Sequence, residues 1–434
     1  MRIVFAGRVT LPSLASYGKW DRSFPSVRWG FPLGSEIVKR LVAKGHEVVV
    51  VTEHTVAHTE KFVCDTQQGS LQVWLVPSRR RSRWTFLTLF SKEVKGIRGA
   101  IREIMPNVVF AQWTYHNAYA GLTSGFPTLI VAHDSPWRIS FVERNLQAII
   151  KAFYAQFFVF PRIRHISAVS PYIVKELRRW NRYKGEVKVV PNGVAISKEQ
   201  DKGSHDLIRT QAKTVICVSD WSDRKNVKTF FSALEHLKRK LPLLRAIVYG
   251  NELSWEGASG RYLLRKGIKH GSLELRGRAL WTEIDQALRE EADLFVSPSL
   301  EESFGMVFVE AMRFGVPCIV GEKSGDVPWV LGAGGESRSL ESKSKMGGDE
   351  SKFGVEVEER GDAKNGDVGE MQGGVVCDVT DPMKLAACIE RVIGDAELRR
   401  CLSDGGKRRV KEIFNIEMVV DMYEDELRRV ANDD

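Results

Sequence analysis

The segment SPSLEESFGMVFVEAMRFGVPCIVGEKSG (297–325) gathers residue types suited to ligand chemistry. Its spacing predicts a helix from about Gly305 to Phe314 that is apolar nearly all round, through Met306, Val307, Phe308, Val309, Ala311 and Met312, and therefore buried on several sides. Glu310 then sits as a carboxylate in an apolar helix. Burying an ion without partners is costly, so Glu310 requires hydrogen-bond donors, which either the two hydroxyls of a ribose diol or a protein lysine or arginine would supply. Glu302, eight positions earlier, belongs to the preceding loop. Either it or Ser303 caps the helix, or it faces a ligand beside the amides of Phe304 and Gly305, where an anion or a sugar hydroxyl docks. His133-Asp134 ends the apolar run TLIVAHD, where a histidine is structural or faces a cleft. In Phe31-Pro-Leu-Gly34-Ser35-Glu36, Gly34 lets backbone amides approach an anion at a helix start.

These residues need a scaffold, and short β-branched runs alternating with longer helical patterns predict parallel sheets built from strand–helix–strand units. The first half carries strand patterns at 2–7, 46–52, 108–112, 128–134, 165–170 and 187–193, with a helix over 35–45 closed by Gly45. The second half starts again at 214–219, 245–250, 273–278, 292–299 and 317–322. Two doubly wound sheets in tandem follow. Pro191-Asn192-Gly193 and the polar run 197–206 mark a linker and hinge between them. Residues 336–374, rich in Ser, Gly and charge, read as a mobile insertion. The candidate residues 133 and 302 fall at carboxyl ends of strands, the edge where open α/β sheets bind ligands.

A chain of 434 residues exceeds one comfortable core, so two domains are expected. Six well-spaced cysteines without CxxC or nearby histidine argue against zinc or a disulfide framework and read as reduced, mostly core thiols. The four-residue apolar run near the start ends in Gly7-Arg8 and reads as a strand, not an export signal. No run of about 18 apolar residues is present. A cytosolic protein, or one bound to a membrane from outside, is expected. Residues 1–200 sum to +16 and residues 201–434 to −7. Basic density peaks at SRRRSRW (78–84) and LRRWNRYK (177–184), each with aromatics, a composition suited to anionic lipid headgroups, acidic sugars or nucleic acid, or to a solvated face without a partner.

Glu302-Ser-Phe-Gly-Met-Val-Phe-Val-Glu310 followed by Ala-Met-Arg-Phe-Gly-Val-Pro resembles the two-glutamate motif of the retaining family 4 glycosyltransferases. The resemblance extends through SAVSPYIVKEL, VVPNGV (189–194), TVICVS with Lys225-Asn226 behind it, LELRGR, VVCDVTDPMKLA and the final helices. It implies the GT-B fold, an α/β architecture of two Rossmann-like domains facing across a cleft: an acceptor-side domain over 1–193, a nucleotide-sugar domain over 194–414, and a C-terminal helix (415–434) crossing back. It also implies a UDP- or GDP-linked sugar donor and no metal or other cofactor. The basic aromatic segments 78–84 and 177–184 suggest a glycan or lipid-linked acceptor, as in surface polysaccharide or glycolipid biosynthesis, and no nucleic-acid partner is expected. The expected location is cytoplasmic, with peripheral contact at the inner face of an anionic membrane.

Residue by residue, Glu310 matches the glutamate on the donor ribose and Glu302 the one on the transferred sugar. Phe304, Gly305, Met306 and Val307 match the segment that lines the donor with backbone amides. Lys225 matches the lysine that neutralises the diphosphate, although its run DRKNVK alone reads as surface. His133 matches the active-site histidine, and Gly34 the glycine loop, with Leu33 or Ser35 where a second glycine is usual. Arg276 lies near the base pocket. Asp220 stands where the family carries an arginine, so either Arg224 or another base substitutes or the donor is held differently, with Arg224 the preferred reading. A nucleotide-sugar epimerase, a sugar phosphorylase and a catalytically impaired sugar-nucleotide-binding protein are the competing readings.

Overall fold

The computed structural model describes residues 1–25, 30–78, 88–196, 213–268, 272–332 and 369–433. The basic run 79–84, the linker 197–206 and the insertion up to residue 368 lie outside the described residues. The first sheet holds β1 (Arg2–Ala6), β2 (Lys19–Trp20), β3 (Glu47–His54), β4 (Glu60–Asp65), β5 (Ser70–Pro77), β6 (Val108–Gln112), β7 (Thr128–Ala132), β8 (His165–Ala168) and β9 (Lys188–Val189), in the order β2-β4-β5-β3-β1-β6-β7-β8-β9. The second holds β10 (Thr214–Val218), β11 (Arg245–Tyr249), β12 (Leu273–Gly277), β13 (Leu294–Ser297), β14 (Cys318–Gly321), β15 (Gly369–Glu370) and β16 (Gly374–Cys377), in the order β12-β11-β10-β13-β14-β16-β15.

The central strands are continuous apolar runs because helices cover both faces, the condition under which parallel sheets form. β1, β6, β7, β10 and β13 accordingly have almost every side chain buried. The sequence patterns missed the antiparallel pair β4–β5, where one face is open to solvent and the apolar residues alternate. They also placed residues 369–374 in the insertion, whereas β15 and β16 extend the second sheet. The described cysteines are buried except Cys401.

Two reversals of strand order fix where ligands can meet the sheets. In the first sheet the chain winds outward from β1 through β3 and then resumes on the other side at β6. In the second it winds outward from β10 through β11 and β12 and resumes at β13. At each reversal the loops beyond the carboxyl ends diverge and open a crevice.

The helix Ile416–Asp433 returns to the first sheet. Its Tyr423 ring is buried against Phe110 of β6, centroids 5.0 Å apart. Lys44 reaches Asp421 at 2.6 Å and Arg40 reaches Glu417 at 2.7 Å. Val194 bonds on both sides of this return, donating to the Phe414 carbonyl at 2.8 Å and accepting from the Ile416 amide at 3.0 Å.

Candidate functional site

At the second reversal, the loops after β10 and β13 are knitted by their own backbones. The Leu300 amide donates to the Arg224 carbonyl at 2.8 Å. Asn226 adopts a left-handed backbone (φ 50°) and its side-chain amide donates to the Val379 carbonyl at 2.8 Å, which turns the chain from the loop into the helix Val227–Leu237. This geometry brings together Lys225, Arg224 and Glu302. The Lys225 Nζ bonds Glu302 Oε1, while Arg224 Nη1 donates to the Glu301 carbonyl at 2.8 Å and lies 3.7 Å from Glu302 Oε2. Asp220 Oδ1 accepts from the Asn251 amide at 3.1 Å in the next loop.

The helix beyond β13 runs Met306–Arg313 and starts at Gly305, whose backbone is left-handed (φ 79°). A β-carbon there would fall 2.7 Å from Phe308 Cδ2 and 3.0 Å from Val327 Cγ2, so both conformation and space require glycine. No side chain caps this helix, and neither Glu302 nor Ser303 serves as its N-cap. Of its first-turn amides, that of Phe308 donates to the Gly305 carbonyl at 3.0 Å, while the leading amides of a helix in general lack a partner within it. Phe304 anchors the loop from below, its ring packed against Phe414 and Trp329 with centroids 5.6 and 6.4 Å away. Met306 and Val307 are half-buried at the start of the helix.

Glu310 is buried in this helix, and its Oε2 has no hydrogen-bond partner among the described residues. Burial pushes its carboxyl up to about 8. The cation one turn on, Arg313, is bonded to Asp285 and donates to the Ala195 carbonyl at 3.3 Å. Of the two sources of donors open from the sequence, a protein cation is therefore not supplied among the described residues.

The edge of the first sheet carries His133. Its Nε2 is 2.8 Å from Gln112 Oε1, and its ring lies between Trp113 and Phe31, centroids 4.7 and 5.3 Å away. Desolvation pushes the imidazole down to about 3, so it is neutral near pH 7. The bond to an amide oxygen places the ring proton on Nε2 and leaves Nδ1 as an acceptor. Asp134 does not orient the ring. It accepts the Tyr115 hydroxyl at 2.9 Å, and burial raises it to about 6. Gln112, the last residue of β6, was invisible as a partner because nothing in a strand pattern marks which terminal side chain will face a neighbouring loop.

Gly34 lies inside the helix Pro32–Ala43, where a β-carbon would stand 2.8 Å from the Arg8 carbonyl and 2.7 Å from Phe31. Its missing side chain is accounted for by packing against the turn after β1. Ser35 locks the same turn, its Oγ accepting from the Thr10 amide at 2.8 Å. Arg276 is not brought to the cluster: it is held by Glu274, Glu291 and the Tyr249 hydroxyl, in a network shared with Arg245 at the start of β11. Its guanidinium is therefore held by groups on β11, β12 and the approach to β13.

A set of contacts across the two halves was not legible beforehand. Glu301 Oε2 accepts from Arg138 Nη2 at 2.5 Å and its Oε1 accepts the Tyr172 hydroxyl. Ser170 Oγ donates to the Ser303 carbonyl at 3.1 Å, and Asp326 Oδ1 accepts the Tyr172 amide at 3.2 Å. Arg138 and Tyr172 belong to the first half, so the start of the helix Pro171–Trp180 is docked on the loop that carries Glu302. Burial pushes Asp326 up to about 8. The adjacent acidic pair Glu301-Glu302 was the available sign, but spacing alone does not tell which member faces the cleft.

Comparison with known proteins fits this arrangement. The family model described as Glycosyltransferase Family 4 matches residues 35–198, and the one described as Glycosyl transferases group 1 matches residues 198–343. The chain is 29% identical over 143 residues to N-acetyl-alpha-D-glucosaminyl L-malate synthase of Bacillus anthracis, covering 33% of this chain and 28% of that protein. It is 29% identical over 133 residues to GDP-mannose:cellobiosyl-diphosphopolyprenol alpha-mannosyltransferase of Xanthomonas campestris, covering 30% of this chain and 33% of that one. The matched stretch thus spans a third or less of the length of these relatives. Sucrose-phosphate synthase from Thermosynechococcus elongatus superposes with TM-score 0.68 at 16% identity, covering 99% of this chain and 98% of that one. Anabaena HepE in complex with UDP superposes with TM-score 0.61 at 15% identity, covering 99% and 100%.

Proposed function

We infer the reaction from the premise that the chain belongs to the family 4 glycosyltransferases of GT-B fold, whose two profiles together run from residue 35 to residue 343. The protein transfers a sugar from a UDP- or GDP-linked donor to a glycan or lipid-linked acceptor, with retention at the anomeric carbon. Glu310 carries this reading. A buried carboxyl whose Oε2 lacks a partner among the described residues is completed by the two donating hydroxyls of a ribose. The UDP bound by Anabaena HepE and the lipid-linked substrate named for the Xanthomonas campestris enzyme support a nucleotide donor and a lipid-linked acceptor.

In this mechanism Lys225 leaves Glu302 for the diphosphate, and Glu302 turns its freed oxygen to the hydroxyls of the transferred sugar. Arg224 adds a second cation on the wall that Asp220 does not serve. The amides of Phe304, Gly305, Met306 and Val307 line the donor. The C1–O bond to the diphosphate breaks as the acceptor oxygen bonds C1 on the same face, and the acceptor proton passes to the departing phosphate oxygen. Cations and helix amides stabilise the charge that develops there. Neutral His133 accepts a hydrogen bond from the sugar at Nδ1, with Gln112 fixing the tautomer. The start of the helix containing Gly34 faces the cleft from the first domain.

The acceptor-side domain is residues 1–193 with the returning C-terminal helix, and the donor domain is residues 194–414. Closure of the two domains over the donor excludes water. The basic segment 177–184 points to work at the inner face of an anionic membrane. NMR of the product formed by purified enzyme tests the reaction: an axial donor gives an axial product, and an inverted product overturns the proposal.

A further inference from the structure

The helices Pro136–Glu143 and Leu146–Tyr154, with the π-turn Ala155–Val159 continuing the second, leave a large apolar face open. Leu146, Ile149, Phe153 and Phe157 recur three or four residues apart and so share one side of the stretch. Ala148, Ala152, Ala155 and Val159 occupy the opposite side and are buried. Leu146 is 71% exposed, Phe157 61%, Phe141 54% and Phe153 48%. The rings form a continuous surface: Phe153 lies 5.8 Å from Phe157 and 5.0 Å from Trp137, and Phe141, one turn beyond Trp137, lies 4.6 Å from Trp180. Isolated exposed apolar residues are ordinary, but a contiguous patch of this kind marks an interaction surface.

Charge identifies the occupant. The Arg179 guanidinium stands 5.3 Å from the Trp180 ring, and Arg178 beside it is exposed. Residues 136–184 hold ten Lys and Arg against two acidic residues. A second copy of the same face would bring like charges together, whereas an anionic bilayer offers opposite charge at its headgroups and an apolar layer just beneath. No helix among the described residues is long and apolar enough to cross a membrane. We propose that this aromatic face seats the protein on an anionic bilayer, with Phe141, Leu146, Phe153 and Phe157 entering the boundary between headgroups and acyl chains and Arg178 and Arg179 engaging the headgroups. The helix that presents Trp137 and Phe141 also carries Arg138 onto Glu301, so the crevice lies one helix away from the lipid surface. The inference rests on the membrane-side acceptor of the proposed function for its purpose, while its observations are independent of the donor chemistry.

Co-sedimentation with phosphatidylcholine vesicles, with and without phosphatidylglycerol, tests it, alongside nucleotide-sugar binding by calorimetry on the same samples. The full chain is expected to bind only the anionic vesicles. Phe153→Ser/Phe157→Ser and Arg178→Gln/Arg179→Gln should each weaken that partition at least about tenfold, with melting temperature and donor affinity unchanged because the side chains are exposed. Wild-type protein that ignores anionic vesicles at low salt, or variants that sediment as the wild type does, overturn the proposal. So does a dimer in analytical ultracentrifugation that the phenylalanine variant dissolves without altering vesicle binding. Loss of donor binding in the wild type breaks the donor reading instead and leaves the vesicle result standing.

Discussion

The loop after β10 and the helix after β13 meet one crevice with opposite electrostatics. In the loop, Lys225 and Arg224 are already set beside the Glu302 carboxylate. In the helix, Glu310 is buried without any ion pair among the described residues, and its carboxyl is pushed up to about 8. The loop satisfies its charge within the protein and, in the proposed reaction, exchanges partners when an anion arrives. The helix carries an acid raised by burial, which in the same reaction takes on charge when new donors appear. On that proposal one wall is a switchable ion pair, and the other a group whose protonation waits on the ligand.

Removing the cation of the first wall should have the largest effect. Lys225→Ala is expected to lower kcat about 10²–10³-fold with the fold intact, measured in steady-state transfer. Arg224→Ala should cost less, about tenfold, and equal losses in both would show that the ion pair is shared and not led by Lys225. On the second wall, Glu310→Gln should raise donor KM about 10–100-fold, since hydrogen bonds to a charged group contribute about 1.5–3 kcal/mol. Calorimetry in buffers of different ionisation heat then distinguishes the walls. Donor binding at pH 7 should release a proton from wild-type protein and none from Glu310→Gln.

Stability carries the same contrast. The folded value of Glu310, about 8, lies above its ordinary 4.5, so the neutral acid favours the fold at low pH and that contribution is lost as pH rises from about 4.5 through 8. Glu310→Gln should flatten this share of the slope in urea unfolding, leaving the share that Asp326 contributes in the same sense. Asp220→Ala should have the smallest effect. Loss of its bond to the Asn251 amide costs about 1 kcal/mol, with kcat unchanged.

Burial and helical spacing made Glu310 legible by forcing the question of what satisfies a carboxylate, whereas Glu302 read only as a loop residue or a cap until the family resemblance paired the two. The strands β13 and β14 that flank them were legible because buried parallel strands are unbroken apolar runs. Partners set by tertiary approach were not. Gln112 beside His133, Tyr172 and Arg138 on Glu301, and the bond of Asp220 to the Asn251 amide depend on how separate loops meet. Arg276 shows the reverse failure: its place in the chain suggested the crevice, but Glu274 on its own strand and Glu291 just ahead of β13 hold its guanidinium.

The return of the helix Ile416–Asp433 onto β6 has a bearing on how the chain is made. Phe110 leaves the ribosome about three hundred residues ahead of the Tyr423 ring that covers it, so the first sheet waits, with that flank bare, until the whole second domain has been synthesised. That flank of the first sheet is therefore sealed only after the donor half has been made, and a ribosome that stalls within the helix Ile416–Asp433 leaves behind a chain whose donor half is complete and whose other half still shows its interior.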